Sequence, residues 1–304
     1  MKPIVKKVLL GFGGVVGAMV VGGAAFVGYA VHAFNASLEK VYDLPVPTMV
    51  RSTDPVVLAR GQHVAEALAP CANSDCHGTD LGGGKTMDVG PVGKLTAPNI
   101  SQGGLGATYS DGELLRAIRH GVKKDGTSVR FMPSHEFNWL PEADFVAAIS
   151  WMRTLPAVQK PNGPLEIGLI GKVLDRFDLL PLVTARRIDH AHIETAPPPS
   201  PTAAYGAFLS RACSGCHGET LAGGPIPGAP PEMAVPLNLT PHATGLQGWT
   251  LEDFKKTLQT GINKRGKKLD AMMPISAFGK LDELEMQALF AYLASLPPRP
   301  FGAR

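Results

Sequence analysis

From Val8 to Phe34 the chain carries no charged side chain, a run of 27 residues built almost wholly of Val, Leu, Gly, Ala, Phe and Met. A helix of that length crosses a bilayer with some tilt. Lys2, Lys6 and Lys7 precede it and predict a cytoplasmic N-terminus. The small residues around Ala30 and Ala33 also suit a cleaved signal peptide. A signal's apolar region is typically about 7–15 residues, so an uncleaved signal anchor over residues 1–35 is the expectation. Gly11, Gly14, Gly22 and Gly23 offer a helix-packing face or are incidental in a glycine-rich span.

Beyond the anchor the pattern changes to short amphipathic helices. Leu284, Ala288, Tyr292 and Leu296 recur every fourth residue. Asp54-Pro55 and Ser200-Pro201 each set a capping side chain before a proline. Ser110 with Glu113, and Thr250 with Asp253, form capping-box patterns, and Gly121 and Gly261 stand where those helices should stop. Gly61 and Gly206 fall inside predicted helices, at a cost of about 1 kcal/mol each. Close approach of the first and last helices of each unit would account for them. Leu165 to Val183 is too apolar for a free linker, with Ile167, Leu169, Ile170, Phe177 and Leu179 among its residues. It is expected to lie across the two halves and fix their orientation, with membrane-surface or partner contact as the alternative. Pro197-Pro198-Pro199 predicts a stiff, extended joint.

These helices come in two sets. Cys71-Ala72-Asn73-Ser74-Asp75-Cys76-His77 and Cys213-Ser214-Gly215-Cys216-His217 each head a similar series. Gly-rich turns follow, then Pro98-Asn99-Ile100-Ser101 and Leu237-Asn238-Leu239-Thr240, with 22 and 21 residues from histidine to asparagine. From Met132-Pro133 to Leu155-Pro156, and from Met273-Pro274 to Leu296-Pro297, the register holds without a gap. Phe137 falls on Phe278, Leu140 on Leu281 and Trp151 on Tyr292. The expected fold is all-α: the transmembrane helix (1–35), a linker (36–50), a helical unit (51–160), a connector (161–200) and a second unit (201–304).

The chain's 304 residues suffice for an anchor and two units of about 100 residues. A net charge of +3 implies no nucleic-acid partner. All four cysteines sit in the two signatures, leaving none for a disulfide. Cys213-x-x-Cys216-His217 is the pattern of c-type haem attachment. Two thiols reach the vinyl groups on one porphyrin edge, and the adjacent histidine turns under the ring to the iron. A redox dithiol expects a strand–helix context that the flanks lack, and a zinc site expects two such pairs close together. These pairs lie about 140 residues apart. The first signature has four residues between its cysteines, so its loop must bulge for both thioethers to form. Attachment through Cys76 alone, with Cys71 free, is the alternative. Two covalently attached haem c groups are expected.

Each copy holds one methionine at a constant distance from its histidine, 55 residues from His77 to Met132 and 56 from His217 to Met273. Methionine is usually a core filler. The following proline and the pairing with a haem signature mark Met132 and Met273 as sixth ligands. Met272 does not match the Met-Pro register. His63, His120, His135, His190, His192 and His242 have no counterpart in the other copy and are expected in surface or hydrogen-bonding roles, with His135 the strongest competitor to Met132. Two filled axial positions leave no place for peroxide or oxygen, so electron transfer without catalytic residues is the expected task. A dihaem peroxidase with one open iron is the alternative, and a sensor or assembly module a third. Lys123, Lys124 and Lys264-Arg265-Gly266-Lys267-Lys268 precede the two methionines; a solvated loop is the ordinary reading of such a run, and steering of an acidic partner the functional one.

With these motifs in place, residues 51–160 and 200–304 resemble class I cytochrome c domains. The Leu-x-Gly-Gly and Asn-[Ile/Leu]-[Ser/Thr] elements resemble those of bacterial membrane-anchored multihaem cytochromes, including the cytochrome c subunits of membrane-bound dehydrogenases. The resemblance implies Cys213, Cys216 and His217 with distal Met273 in one unit, and Cys76, His77 and Met132, joined by Cys71, in the other. It implies haem units on the periplasmic side of a bacterial inner membrane. It also implies redox partner proteins: a donor dehydrogenase or quinol-oxidising complex, and an acceptor cytochrome or terminal oxidase.

Overall fold

The computed structural model describes residues 3–74, 76–192, 195–227, 229 and 232–304, with side chains from Gly11 onward. Lys2 and Asp75, and the side chains of Lys6 and Lys7, therefore lie outside the described residues.

Helix α1 runs from Pro3 to Glu39, longer than the anchor read from sequence. It is the one helix among the described residues long and apolar enough to cross a membrane. Among its described side chains the fully buried ones are Ala30 and Phe34. Phe34 packs with Leu182 and Val183. Residues 36–50 lie against the first half: Tyr42 N–H donates to Gly126 at 2.9 Å, and Arg116 Nη1 donates to Leu44 at 2.8 Å.

The first half holds α2 (Pro55–His63), α3 (Asp111–His120) and α4 (Glu142–Met152), with a π-helical turn at Val64–Leu68. Asp54 caps α2 through Val56 N–H at 2.8 Å. Ser110 and Glu113 close the capping box of α3, and left-handed Gly121 ends it. After α5 (Leu169–Arg176), the second half holds α6 (Ala203–Leu209), α7 (Arg211–His217), α8 (Leu251–Thr260), α9 (Ile275–Phe278) and α10 (Glu283–Ser295). Thr250 and Asp253 repeat the box at α8, which ends at left-handed Gly261. Helix α6 starts later than expected: Thr202, not Ser200, is its cap, because its side chain accepts from Tyr205 N–H.

The two interior glycines have the reason proposed for them. A Cβ on Gly61 would stand 2.0 Å from the Ala147 carbonyl oxygen of α4, and one on Gly206 1.9 Å from that of Ala288 in α10. Only a bare Cα permits backbones so close.

Three expectations need correction. The chain is helix-rich rather than all-α, because β1 (Met87–Asp88), β2 (Gly93–Leu95) and β3 (Glu166–Ile167) form a small antiparallel sheet in the order β1-β2-β3. Its registers pair Met87 with Leu95 and Lys94 with Glu166. The signal was weak, since each strand is only two or three residues long. The apolar connector does not lie across the two halves. β3 joins the sheet of the first half, Gly171 sits against the Val92 carbonyl, and Phe177 stacks on Phe26 of α1 at 5.1 Å. Nor do the halves hang on the connector for their orientation, because they share one apolar core. Val64, Leu140, Phe145 and Ile149 join Tyr205, Phe208, Met286 and Leu293 in it. Trp139 meets Phe208 edge-on at 4.9 Å.

An ionic group seals this seam. Glu285 of α10 is 1% exposed and accepts from His63 Nε2 at 2.7 Å and Arg60 Nη1 at 3.3 Å, both on α2. Arg60 also makes a two-point contact with Asp144, at 2.8 and 2.7 Å. Burial pushes the Glu285 carboxyl upward, but the His63 hydrogen bond, the charges of His63 and Arg60 and the Asp282 amide outweigh it and hold it below its ordinary value.

Candidate functional site

Each signature histidine is buried and held the same way. His77 Nδ1 lies 2.8 Å from the Pro98 carbonyl oxygen, and His217 Nδ1 lies 2.7 Å from that of Leu237. A carbonyl only accepts, so Nδ1 carries the proton and Nε2 keeps its lone pair. Burial lowers both pKa values, against the carbonyl bonds that raise them, which favours neutral imidazole. That is the form that ligates a metal.

The asparagines explain why those carbonyls stand where they do. Asn99 is fully buried: its amide donates to Val158 and Lys160 carbonyls at 2.8 and 3.0 Å, while its oxygen takes Ser101 N–H and Oγ–H. Asn238 repeats this with the Arg299 carbonyl at 2.8 Å and Thr240. Each asparagine directly follows the residue whose carbonyl holds the histidine. The turns match as well, with Leu81 and Leu221, four residues past each histidine, at φ of 58° and 59°. Such angles are strained for leucine and persist only where the surroundings impose them. Ile100 and Leu239 N–H donate to the Leu81 and Leu221 carbonyls.

The signatures themselves differ. Cys213, Cys216 and His217 ride on helix α7. The first signature bulges as its longer spacing requires: Cys76 N–H donates to the Asn73 side chain at 2.9 Å, and His77 N–H reaches back to the Cys71 carbonyl at 3.0 Å. Burial pushes the Cys71 and Cys213 thiols up to about 12. Such thiols are protonated and inert as free nucleophiles.

Cys71, His77 and Met132 line one apolar cavity, whose walls include Val64, Ile100, Ile118, Phe137 and Phe145. His135 does not line it and turns its Nε2 to Glu136 at 3.3 Å. Met273 lies on another cavity, at the surface, with Thr260, Gly261, Lys268 and Ile275, and His217 is not among its lining residues. The remaining histidines are engaged elsewhere: His63 with Glu285, His242 with Thr244 Oγ1 at 2.9 Å, and His120 with His190, ring on ring at 5.4 Å. Arg119 donates to the His192 carbonyl at 3.3 Å.

A family model described as Cytochrome c matches residues 203–297. The chain carries a cytochrome c domain. Such a domain binds haem c covalently. The Fructose dehydrogenase cytochrome subunit of Gluconobacter japonicus is 34% identical over 109 residues, covering 31% of this chain and 22% of that protein. The Gluconate 2-dehydrogenase cytochrome c subunit of Pantoea cypripedii is 33% identical over 94 residues, covering 29% and 21%. The cytochrome c subunit of Alcohol dehydrogenase (quinone) of Gluconacetobacter polyoxogenes is 34% identical over 94 residues, covering 29% and 20%. The chain thus spans about a fifth of the length of these curated relatives.

The donors outside the matched cytochrome c domain fit the same group. The first cavity is apolar, the Pro98 carbonyl holds the His77 Nδ1 proton and so leaves Nε2 its lone pair, and a thiol and a thioether share its wall. Three residues around these sites were missed from sequence. Asp175, fully buried, accepts from Leu182 and Val183 N–H at 2.7 and 3.0 Å and pairs with Arg186 at 2.8 Å. Leu182 in turn accepts from Phe131 N–H at 2.7 Å, beside Met132, with Phe131 at φ 70°. Asp175 has no counterpart in the repeat, so nothing flagged it. Glu136 touches α7, where a Cβ on Gly215 would lie 2.6 Å from its Oε2. Its register partner is Ala277, and that mismatch was a signal available in the sequence. Arg60 had no motif at all.

Proposed function

We propose that the chain is a membrane-anchored dihaem c-type cytochrome that relays electrons between a periplasmic or membrane-bound dehydrogenase and a respiratory acceptor. The observation that carries this reading is the convergence of Cys71, His77 and Met132 on one apolar cavity, outside the segment matched as Cytochrome c. Repetition of the histidine–carbonyl bond and the asparagine peg in both halves supports two sites of one kind.

Haem c, when bound, supplies a one-electron couple. The residues do the rest. His77 and His217 present neutral nitrogens fixed by their Nδ1 bonds. Met132 and Met273 offer soft thioethers, which favour ferrous iron over what a second histidine would give. Val64, Phe137 and Phe145 exclude water from the first site. Glu136, four residues after Met132, lies against Gly215 inside the second signature, which supports two neighbouring sites. Among the basic residues, Lys264 is tied to Asp253 at 2.7 Å, Lys123 to Asp125 at 3.0 Å and Lys124 to Glu113 at 3.9 Å, which leaves Arg265, Lys267 and Lys268 as the better steering charges.

The membrane span, periplasmic side and complex membership belong to the same proposal. They rest on α1 and on the names of the relatives, which are subunits of dehydrogenases. A pyridine haemochrome count with a redox-titrated spectrum tests it. Two haems per chain, both low-spin, are expected; a single haem removes the first site. The dihaem peroxidase reading draws on one observation, the position of Met273 on a cavity that His217 does not line. Carbon monoxide or peroxide binding at the second iron would favour it.

A further inference from the structure

Where one face of α1 stops being exposed, the connector meets it. Phe26 and Tyr29 are 50% and 53% exposed, whereas Ala30 and Phe34 are buried. If α1 spans the bilayer, Ala30 is where one face of the helix leaves lipid and enters protein, while His32, Asn35 and Ala36 stay exposed on the other. At that level Phe26 stacks on Phe177 and the Tyr29 hydroxyl accepts from Arg176 at 2.7 Å. The C-terminal end of α5 is therefore held at the membrane boundary, while Lys172 beside Phe34 shows that the helix runs antiparallel to α1, its N-terminus pointing away from the lipid.

Its two faces are unlike. Gly171 and Asp175 are buried against the first half. Leu169, Ile170, Phe177 and Leu179, in and just after the helix, are 51%, 43%, 41% and 42% exposed. Two cations stand beside this apolar patch: Lys172 reaches to 5.9 Å from the Phe34 ring centre and Arg176 to 5.2 Å from that of Tyr29. Apolar side chains flanked by aromatics and cations are what the headgroup boundary accepts, the chains entering the acyl edge while the cations stay at the phosphates.

We propose that residues 176–179, at the C-terminal end of α5, are an interfacial membrane contact, occupied by phospholipid, that seats the first haem site on the bilayer. Continuity with α1 commits the patch to lipid, because any protein seated there would have to displace the headgroup layer around the span. Asp175 carries the consequence inward, since it fixes Leu182 and Val183, and Leu182 holds Phe131 next to Met132. The inference rests on the membrane span proposed above.

The test uses the full haem-loaded chain in vesicles of equal parts phosphatidylcholine and phosphatidylglycerol, with a trace of phospholipid bearing a photoreactive group high on its acyl chain. Adducts are mapped by peptide. Expected are adducts both in residues 11–29 and in residues 169–179, the latter falling at least about threefold in the double variant F177E/L179E while the Soret spectrum is unchanged. Adducts on α1 with none on residues 169–179 overturn the inference and leave the span standing. Absence from both overturns the span, and the inference with it. If residues 169–179 react only with a water-borne reagent, the face is solvated or kept for a protein, and the proposal falls.

Discussion

The two halves divide their virtues. The second has a regular signature on a helix, the Cytochrome c match and a methionine on an exposed loop. The first has an irregular signature outside the match, yet its cysteine, histidine and methionine share one enclosed apolar cavity. The Met132 loop is also clamped by the connector, which among the described residues has no equivalent beside Met273. Recognisability and enclosure are thus separate properties. The first follows from the covalent chemistry of two thiols and a histidine. The second follows from what packs around them.

The comparison breaks most sharply if one histidine does not hold a haem. His77→Ala and His217→Ala should each halve the haem-to-protein ratio, read by pyridine haemochrome against protein mass. Should His77→Ala leave the ratio untouched, the enclosed cavity of the first half serves no haem.

Next in size is the seam. Glu285→Ala leaves His63 without its buried partner, while Arg60 keeps Asp144, and should cost about 1.5–3 kcal/mol in unfolding free energy. Because the folded carboxyl sits below its ordinary value, its contribution is complete above the unfolded value and is lost as pH falls through the folded one. Thermal midpoints of the parent chain should therefore decline on acidification below the ordinary glutamate range, and Glu285→Gln should flatten that decline. An identical acid profile in both chains would show that the carboxylate carries none of it.

The asparagine pegs come third. Asn99→Ala and Asn238→Ala each strand buried carbonyls and N–H groups, at about 1–3 kcal/mol. They also free the Pro98 or Leu237 carbonyl that fixes the histidine tautomer. A shift of the potential in one centre only, that of the altered half, is expected from redox titration. Equal shifts in both would mean the pegs act on the fold as a whole.

Local chemistry explains what was legible. Capping boxes, left-handed stops at Gly121 and Gly261, and the tight crossings at Gly61 and Gly206 all depend on residues near in sequence or on a missing side chain. The bulge between Cys71 and Cys76 was readable for the same reason. What escaped depends on partners far apart: Arg60 and Glu285 are separated by 225 residues, and neither type nor spacing announces their meeting. The path of the connector escaped too. Its apolar residues said that it must be covered, but not by which surface, and α1 with the small sheet proved to be that surface.

The smallest effect separates the two centres most finely. Glu136 follows Met132 by four residues yet lies against Gly215 of the other signature, and its charge helps to raise the Cys216 thiol after burial does. An anion beside a haem stabilises the oxidised, more positive state. Removing it by Glu136→Gln should therefore raise a potential, though by no more than ~1 kcal/mol, because the carboxylate is 41% exposed and screened by water. The second centre should move and the first stay, since contact is with the second signature. A shift confined to the first centre would place the carboxylate's influence with the Met132 loop instead. Raising the salt should shrink the difference in either case, and a shift indifferent to salt would point to altered packing at α7 rather than to charge.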